Sequence, residues 1–192
     1  MATKVIHRSF KLDQDGSGLK IGLVSAHSHA EIVGPLVTGT KKALLEWGVA
    51  RRDLRYAHVT RPFELPFAAK SLMQREKRGD AGLDAVICLG CVIPSEPLGR
   101  FEFESEAVAL GIMKMNLKGD IPVIYGVLTC TNQQQALSYV GEGVDVSGSE
   151  YVKEDHGWEW AKAAVSLARL AKSLREEEED TVRSSSKGHG VV

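Results

Sequence analysis

Asp84-Ala85-Val86-Ile87-Cys88-Leu89-Gly90-Cys91-Val92-Ile93 is an apolar run bounded by a charged residue and by proline, the pattern of a buried strand rather than an amphipathic helix. Two other segments share its character, Lys20 to Ser25 and Pro122 to Thr129, and each of the three runs straight into a short polar stretch. In an open parallel sheet, ligands collect just beyond the carboxyl ends of the strands, so those polar stretches are where the chemistry is expected.

Working outward, the periodicity predicts strands at Lys20 to Ser25, Leu54 to Val59, Asp84 to Gly90 and Ile121 to Leu128. Helices are expected from about Glu31 to Trp47, with Gly48 as the stop, and then at Pro66 to Arg75, Phe103 to Leu117, Asn132 to Val140 and Trp158 to Leu174. Strands alternating with helices give an α/β layered sandwich around a mainly parallel sheet. Residues 1–18, polar and Gly-rich, form an N-terminal arm, 19–174 the domain, and 175–192 a polar stretch with too little apolar surface to pack, either a flexible tail or an extension of the last helix.

The chain has 192 residues, 43% hydrophobic and 26% charged, which suits one domain with a full core. With 24 basic and 25 acidic residues the net charge is -1, so nothing favours nucleic acid or an anionic membrane, and small molecules or further subunits are the expected partners. Three cysteines, Cys88, Cys91 and Cys130, make a poor disulfide framework and read as reduced thiols. Cys88 and Cys91 form a C-x-x-C without a second Cys or His pair at zinc spacing, so no metal is expected. No apolar run reaches the ~18 residues of a membrane span, and the expected location is cytoplasmic.

Arg61-Pro62-Phe63-Glu64-Leu65-Pro66, the Asp84 to Ile93 run, and Pro122-Val123-Ile124-Tyr125-Gly126-Val127-Leu128-Thr129 followed by Asn132 and Gln135-Ala136 together resemble the lumazine synthase family, over roughly Leu19 to Leu174. The resemblance implies a flavodoxin-like three-layer sandwich with a four-stranded sheet, assembled as pentamers or shells of pentamers with sites at subunit boundaries. It also implies condensation of a ribitylaminopyrimidine with dihydroxybutanone phosphate without a cofactor.

On that resemblance Phe63 and Glu64 line the ribityl site, the backbone near Val92 and Ile93 meets the pyrimidine, and Tyr125 falls where the family places a Phe across the interface. Elsewhere the chain departs from the pattern. Ser28 stands where the family has a stacking aromatic, with His27 and His29 beside it as alternative flat rings or proton shuttles. In the loop Pro94-Ser95-Glu96-Pro97-Leu98-Gly99-Arg100-Phe101, Arg100 takes the place of the family's His, Glu96 lies in the substrate loop, and Pro94 and Pro97 remove backbone donors. Tyr139 replaces the family's phosphate-binding Arg, and His156 belongs to a loop that approaches the family's site.

Each residue also has a plainer reading. His27, His29 and His156 suit exposed turns, His58 suits a packed or surface strand position, Phe63 suits the core, and Trp158 and Trp160 suit anchors for the last helix or an interface. Glu64, between Phe63 and Leu65, needs a partner. Three functions follow: a divergent lumazine synthase, a repurposed enzyme acting on another small carbonyl compound, or a non-catalytic shell subunit.

An arginine stays charged throughout the physiological range and binds anions without shuttling protons. Arg100, together with Lys153, is expected to replace the family's phosphate Arg; Arg100→Ala should therefore weaken binding of inorganic phosphate, measured by calorimetry, with the fold intact, and unchanged affinity would eliminate that pairing.

Overall fold

The computed structural model describes residues 15–77, 82–94, 101–140 and 156–187. Four strands, β1 (Ile21–Ala26), β2 (Leu54–Val59), β3 (Ala85–Val92) and β4 (Val123–Thr129), form one parallel sheet in the order β2-β1-β3-β4. The helices are α1 (Ala30–Glu46), α2 (Leu65–Lys77), α3 (Phe101–Lys118), α4 (Gln133–Ser138) and α5 (His156–Lys187). This is the three-layer α/β sandwich expected.

The side-chain period of two divides the sheet between two cores. Ile21, Leu23, Ile87, Leu89, Cys91, Ile124 and Leu128 pack with Ile32, Leu36 and Leu44 of α1 and Ala161, Ala164 and Val165 of α5. Val24, Val86, Cys88, Val92, Val123 and Val127 pack with Leu65, Ala69 and Leu72 of α2 and Val108 and Ile112 of α3. Every residue of β1 and β3 is buried, which is why both read as unbroken apolar runs.

Local chemistry sets the ends of the elements. α1 closes in a Schellman arrangement, in which Val49 N–H donates to Leu44 O (3.0 Å) and Gly48 N–H to Leu45 O (3.1 Å). Gly48 holds φ +94, a conformation that glycine reaches without a Cβ penalty. Asn132 caps α4 by accepting from Gln135 N–H at 2.8 Å. Arg169 of α5 donates to the carbonyls of Asp15 and Ser17, both at 2.7 Å, and so ties the described end of the N-terminal segment to the domain. On the outer edge of β4, Asn116 of α3 acts as a short strand: its Nδ2 donates to Val123 O (2.8 Å) and its Oδ1 accepts from Val123 N–H (2.7 Å).

One element differs from expectation. β3 continues two residues past Gly90, because Gly90 is a close-packing position rather than a strand end: a Cβ there would lie 3.1 Å from Leu65 Cδ1. Of the two readings of the chain from residue 175, the extension of the last helix holds as far as Lys187, where the chain remains helical as a continuation of α5. Glutamate and arginine are good helix formers, and Arg175, Glu179 and Arg183 fall at the i, i+4 spacing that supports an exposed helix. Residues 1–14 of the expected arm lie outside the described residues.

Removing Asn116 strands both backbone groups of Val123 at a part-buried edge. Asn116→Ala should lower the unfolding free energy by about 1–3 kcal/mol, read as a lower denaturant midpoint at unchanged m-value.

Candidate functional site

The sheet reverses its winding between β1 and β3, so the crevice beyond their carboxyl ends is the topological place for a ligand. At the end of β1 the ladder continues past the strand: His27 N–H donates to Val59 O (2.8 Å) and Ser28 N–H to Thr60 O (3.0 Å). His29 then turns the chain into α1 in the left-handed region, φ 55 and ψ 50, and is the one non-glycine residue with positive φ among the described residues. Its carbonyl accepts from Ile32 and Val33, both at 2.9 Å, while its Nδ1 lies 4.0 Å from Glu31 Oε1. Gln133 of α4 donates to that same carboxylate oxygen at 3.1 Å, linking the β1 and β4 loops. Ser28 Oγ is buried without a hydrogen-bond partner among the described residues.

At the end of β2, Phe63 is 62% exposed, so it forms a free apolar wall rather than part of the core. The partner that Glu64 needs is the backbone: its Oε2 accepts from Thr60 N–H (2.8 Å) and Arg61 N–H (3.3 Å). The carboxylate thereby fixes the turn whose Thr60 carbonyl receives Ser28. Val92 is buried at the end of β3, and Ile93 packs half-buried on the α1 and α5 side.

The remaining candidates gather at the β4 edge. Tyr125 OH lies 3.3 Å from Thr129 Oγ1. Tyr139 meets His156 edge-on at 5.2 Å, and His156 stacks on Trp160 at 5.8 Å. Trp160 in turn covers Gly126, where a Cβ would come within 3.0 Å of its ring. Trp158 packs edge-on against Trp47 at 4.7 Å and anchors α5 to α1.

The expected site residues thus fall into two groups. His27, Ser28, His29, Phe63 and Glu64 sit at the ends of β1 and β2, and Tyr125, Tyr139 and His156 sit at β4, with Val92 and Ile93 between them. With strands about 4.8 Å apart, the outermost positions are separated by about 14 Å. Glu96, Arg100 and Lys153 lie outside the described residues.

Sequence reasoning set His58 aside, yet it belongs to the first group. Its Nδ1 shares a 2.8 Å hydrogen bond with Ser25 Oγ, and its ring lies 5.3 Å from that of His27 at a 37° tilt. The alternation of β2 placed His58 on the face of Tyr56, but only the pairing register, Ser25 opposite His58, shows which residues it meets.

The family described as 6,7-dimethyl-8-ribityllumazine synthase matches residues 18–172 of the chain. A 6,7-dimethyl-8-ribityllumazine synthase of Clavibacter michiganensis is 37% identical over 161 residues, 84% of this chain and 90% of the relative. One from Thermococcus kodakarensis is 33% identical over 178 residues, 93% of this chain and 100% of the relative. One from Cytophaga hutchinsonii is 41% identical over 120 residues, 62% of this chain and 72% of the relative.

The cysteines stand apart from this arrangement. Odd spacing sends Cys88 into the α2 and α3 core and Cys91 into the opposite one, so the C-x-x-C is no chelating pair. Burial pushes both thiols up to about 12, and burial also raises Cys130. Thiols held protonated and out of solvent are poor nucleophiles. Native protein should therefore react with an aromatic disulfide reagent only at the rate of opening, and all three thiols should titrate at once in denaturant.

Proposed function

The chain belongs to the 6,7-dimethyl-8-ribityllumazine synthase family, and from that premise we propose that it is a divergent lumazine synthase of riboflavin biosynthesis. It acts in the cytoplasm, and its sites are completed between copies of the chain. The observation that carries this reading is the separation of the candidates into two groups on the two sides of one sheet, with Phe63 and Glu64 at β2 about 14 Å from the β4 group.

A head-to-tail contact, in which the β4 side of one copy meets the β1 and β2 side of the next, reunites the two groups and closes into a ring when the rotation permits. The surface supports such contacts. Phe67 of α2 and Phe103 and Leu117 of α3 are each more than 70% exposed, while Leu167, Leu170 and Leu174 make a second apolar stripe on α5. Two different unpartnered faces fit a heterologous ring better than a simple dimer.

In the assembled site the exposed ring of Phe63 walls the ribityl chain. Glu64, its orientation fixed by two backbone donors, has lone-pair capacity left for ribityl hydroxyls. Condensation joins the pyrimidine amine to the ketone of dihydroxybutanone phosphate with loss of water to form the imine. Phosphate then leaves, and ring closure expels a second water. Each step moves a proton, and an imidazole can both give and take one, so His29 on one side and His156 on the other serve as shuttles in place of the family's loop His. Arg100 serves as an anion-binding group, and Tyr139 contributes a ring and a hydroxyl to the second group.

The test combines the ribitylaminopyrimidine and dihydroxybutanone phosphate with the purified oligomer, following lumazine absorbance. Turnover well above the uncatalysed rate is expected, and none from an intact oligomer would overturn the reading. Glu64→Ala and His156→Ala should each be inactive. Mixed subunits reassembled from equal amounts should recover about a quarter of the activity, because each variant supplies the half that the other lacks.

A further inference from the structure

We propose that His27 and His58 form a two-imidazole site for a borderline divalent transition-metal ion such as Zn2+, at the carboxyl ends of β1 and β2. The site is built by the sheet. Ser25 pairs with His58 in the β1–β2 register, so His27, two residues on, projects from the same face as a diagonal neighbour of His58. Both backbones are held by the ladder, which His27 itself extends by donating to Val59 O at 2.8 Å.

The His58 ring is held in orientation as well as close to His27. Ser25, 7% exposed on the central strand, engages His58 Nδ1 at 2.8 Å and so leaves Nε2 as the ligating atom. That is the outer hydrogen bond that metal-binding imidazoles commonly carry, with Nδ1–H donating to the serine oxygen when metal sits on Nε2. The ring centroids are 5.3 Å apart. A Zn–N bond of about 2.0 Å plus ~1.1 Å from nitrogen to ring centre, taken twice at a tetrahedral angle, gives about 5 Å between centroids. Both rings are exposed, so a hydrated ion reaches them. No cluster of three or more His, Cys, Asp or Glu exists among the described residues, so water fills the remaining positions and the site stays open to exogenous ligands. The expectation of no metal came from Cys and His spacing along the chain, whereas these two ligands are brought together only by strand pairing.

The full-length protein is titrated with ZnCl2 in a non-coordinating buffer by calorimetry, with Tm followed in parallel. One ion per chain should bind and raise Tm with zinc concentration. His27→Gln and His58→Gln should each weaken binding at least tenfold, while His29→Asn, which suits the left-handed turn, should leave it unchanged. Where a variant fails to fold, zinc must instead protect His27 and His58 of the wild-type chain from carbethoxylation, read by peptide mapping. Absence of saturable binding, full affinity in folded His58→Gln, loss of affinity in His29→Asn, or failure of zinc to protect these two rings would overturn the site.

Discussion

The parallel ladder between β1 and β3 is the constraint on which the rest of the molecule depends. It pairs Ile21 with Ala85 through Ser25 with Leu89, and each of its strands has another neighbour on its far side. Strands hydrogen-bonded on both edges and covered on both faces admit almost no polar side chain, so polarity is displaced to their ends. Ser25 is the exception inside β1, and it is accommodated because His58, directly opposite, takes up its hydroxyl. Since both strands point the same way, their polar ends open at the same edge, and the winding reverses between them. The position of the crevice follows from the ladder before any functional residue is considered.

Much of this was legible in the sequence for a physical reason: buried strands and amphipathic helices have short-range signatures. β2 was expected and found at Leu54 to Val59, and the Gly48 stop and the Asn132 start are local capping chemistry. What escaped depends on pairs distant in sequence. Gly90 looked like a terminus because its packing against Leu65 and Pro62 comes from another element. Residues 175–187 stay helical, the second of their two readings, and local propensity supports it. His58 was judged alone, whereas its environment is set by Ser25 and His27, which only the strand register brings alongside. Glu64 shows the reverse case. Its need for a partner was plain, but the partners are backbone donors three and four residues earlier, a local turn rather than a distant contact.

The same sheet that concentrates the chemistry also divides it. A four-stranded order with β1 and β3 in the middle sends the β2 and β4 loops to opposite flanks, and the helices that follow them go with those loops. Gln133 reaching Glu31 is a direct side-chain link from the β4 loop to the first turn of α1. Exposed apolar residues on α2, α3 and α5 would be a solubility liability for an isolated subunit.

The turn from β1 into α1 is where folding and function pull in different directions. A left-handed non-glycine residue costs about 1–3 kcal/mol, and a buried hydroxyl without a partner adds a desolvation penalty; His29 and Ser28 carry both side by side. Glycine at 29 would relieve the first and alanine at 28 the second, with no loss to the described packing. The surrounding structure nonetheless holds this turn firmly: His27 and Ser28 are bonded to β2, the His29 carbonyl is bonded twice by α1, and Glu64 braces the loop opposite. A costly turn braced from three directions presents side chains at fixed positions. It presents the imidazoles of His27 and His29 at the end of β1, where a glycine at 29 would leave only the first.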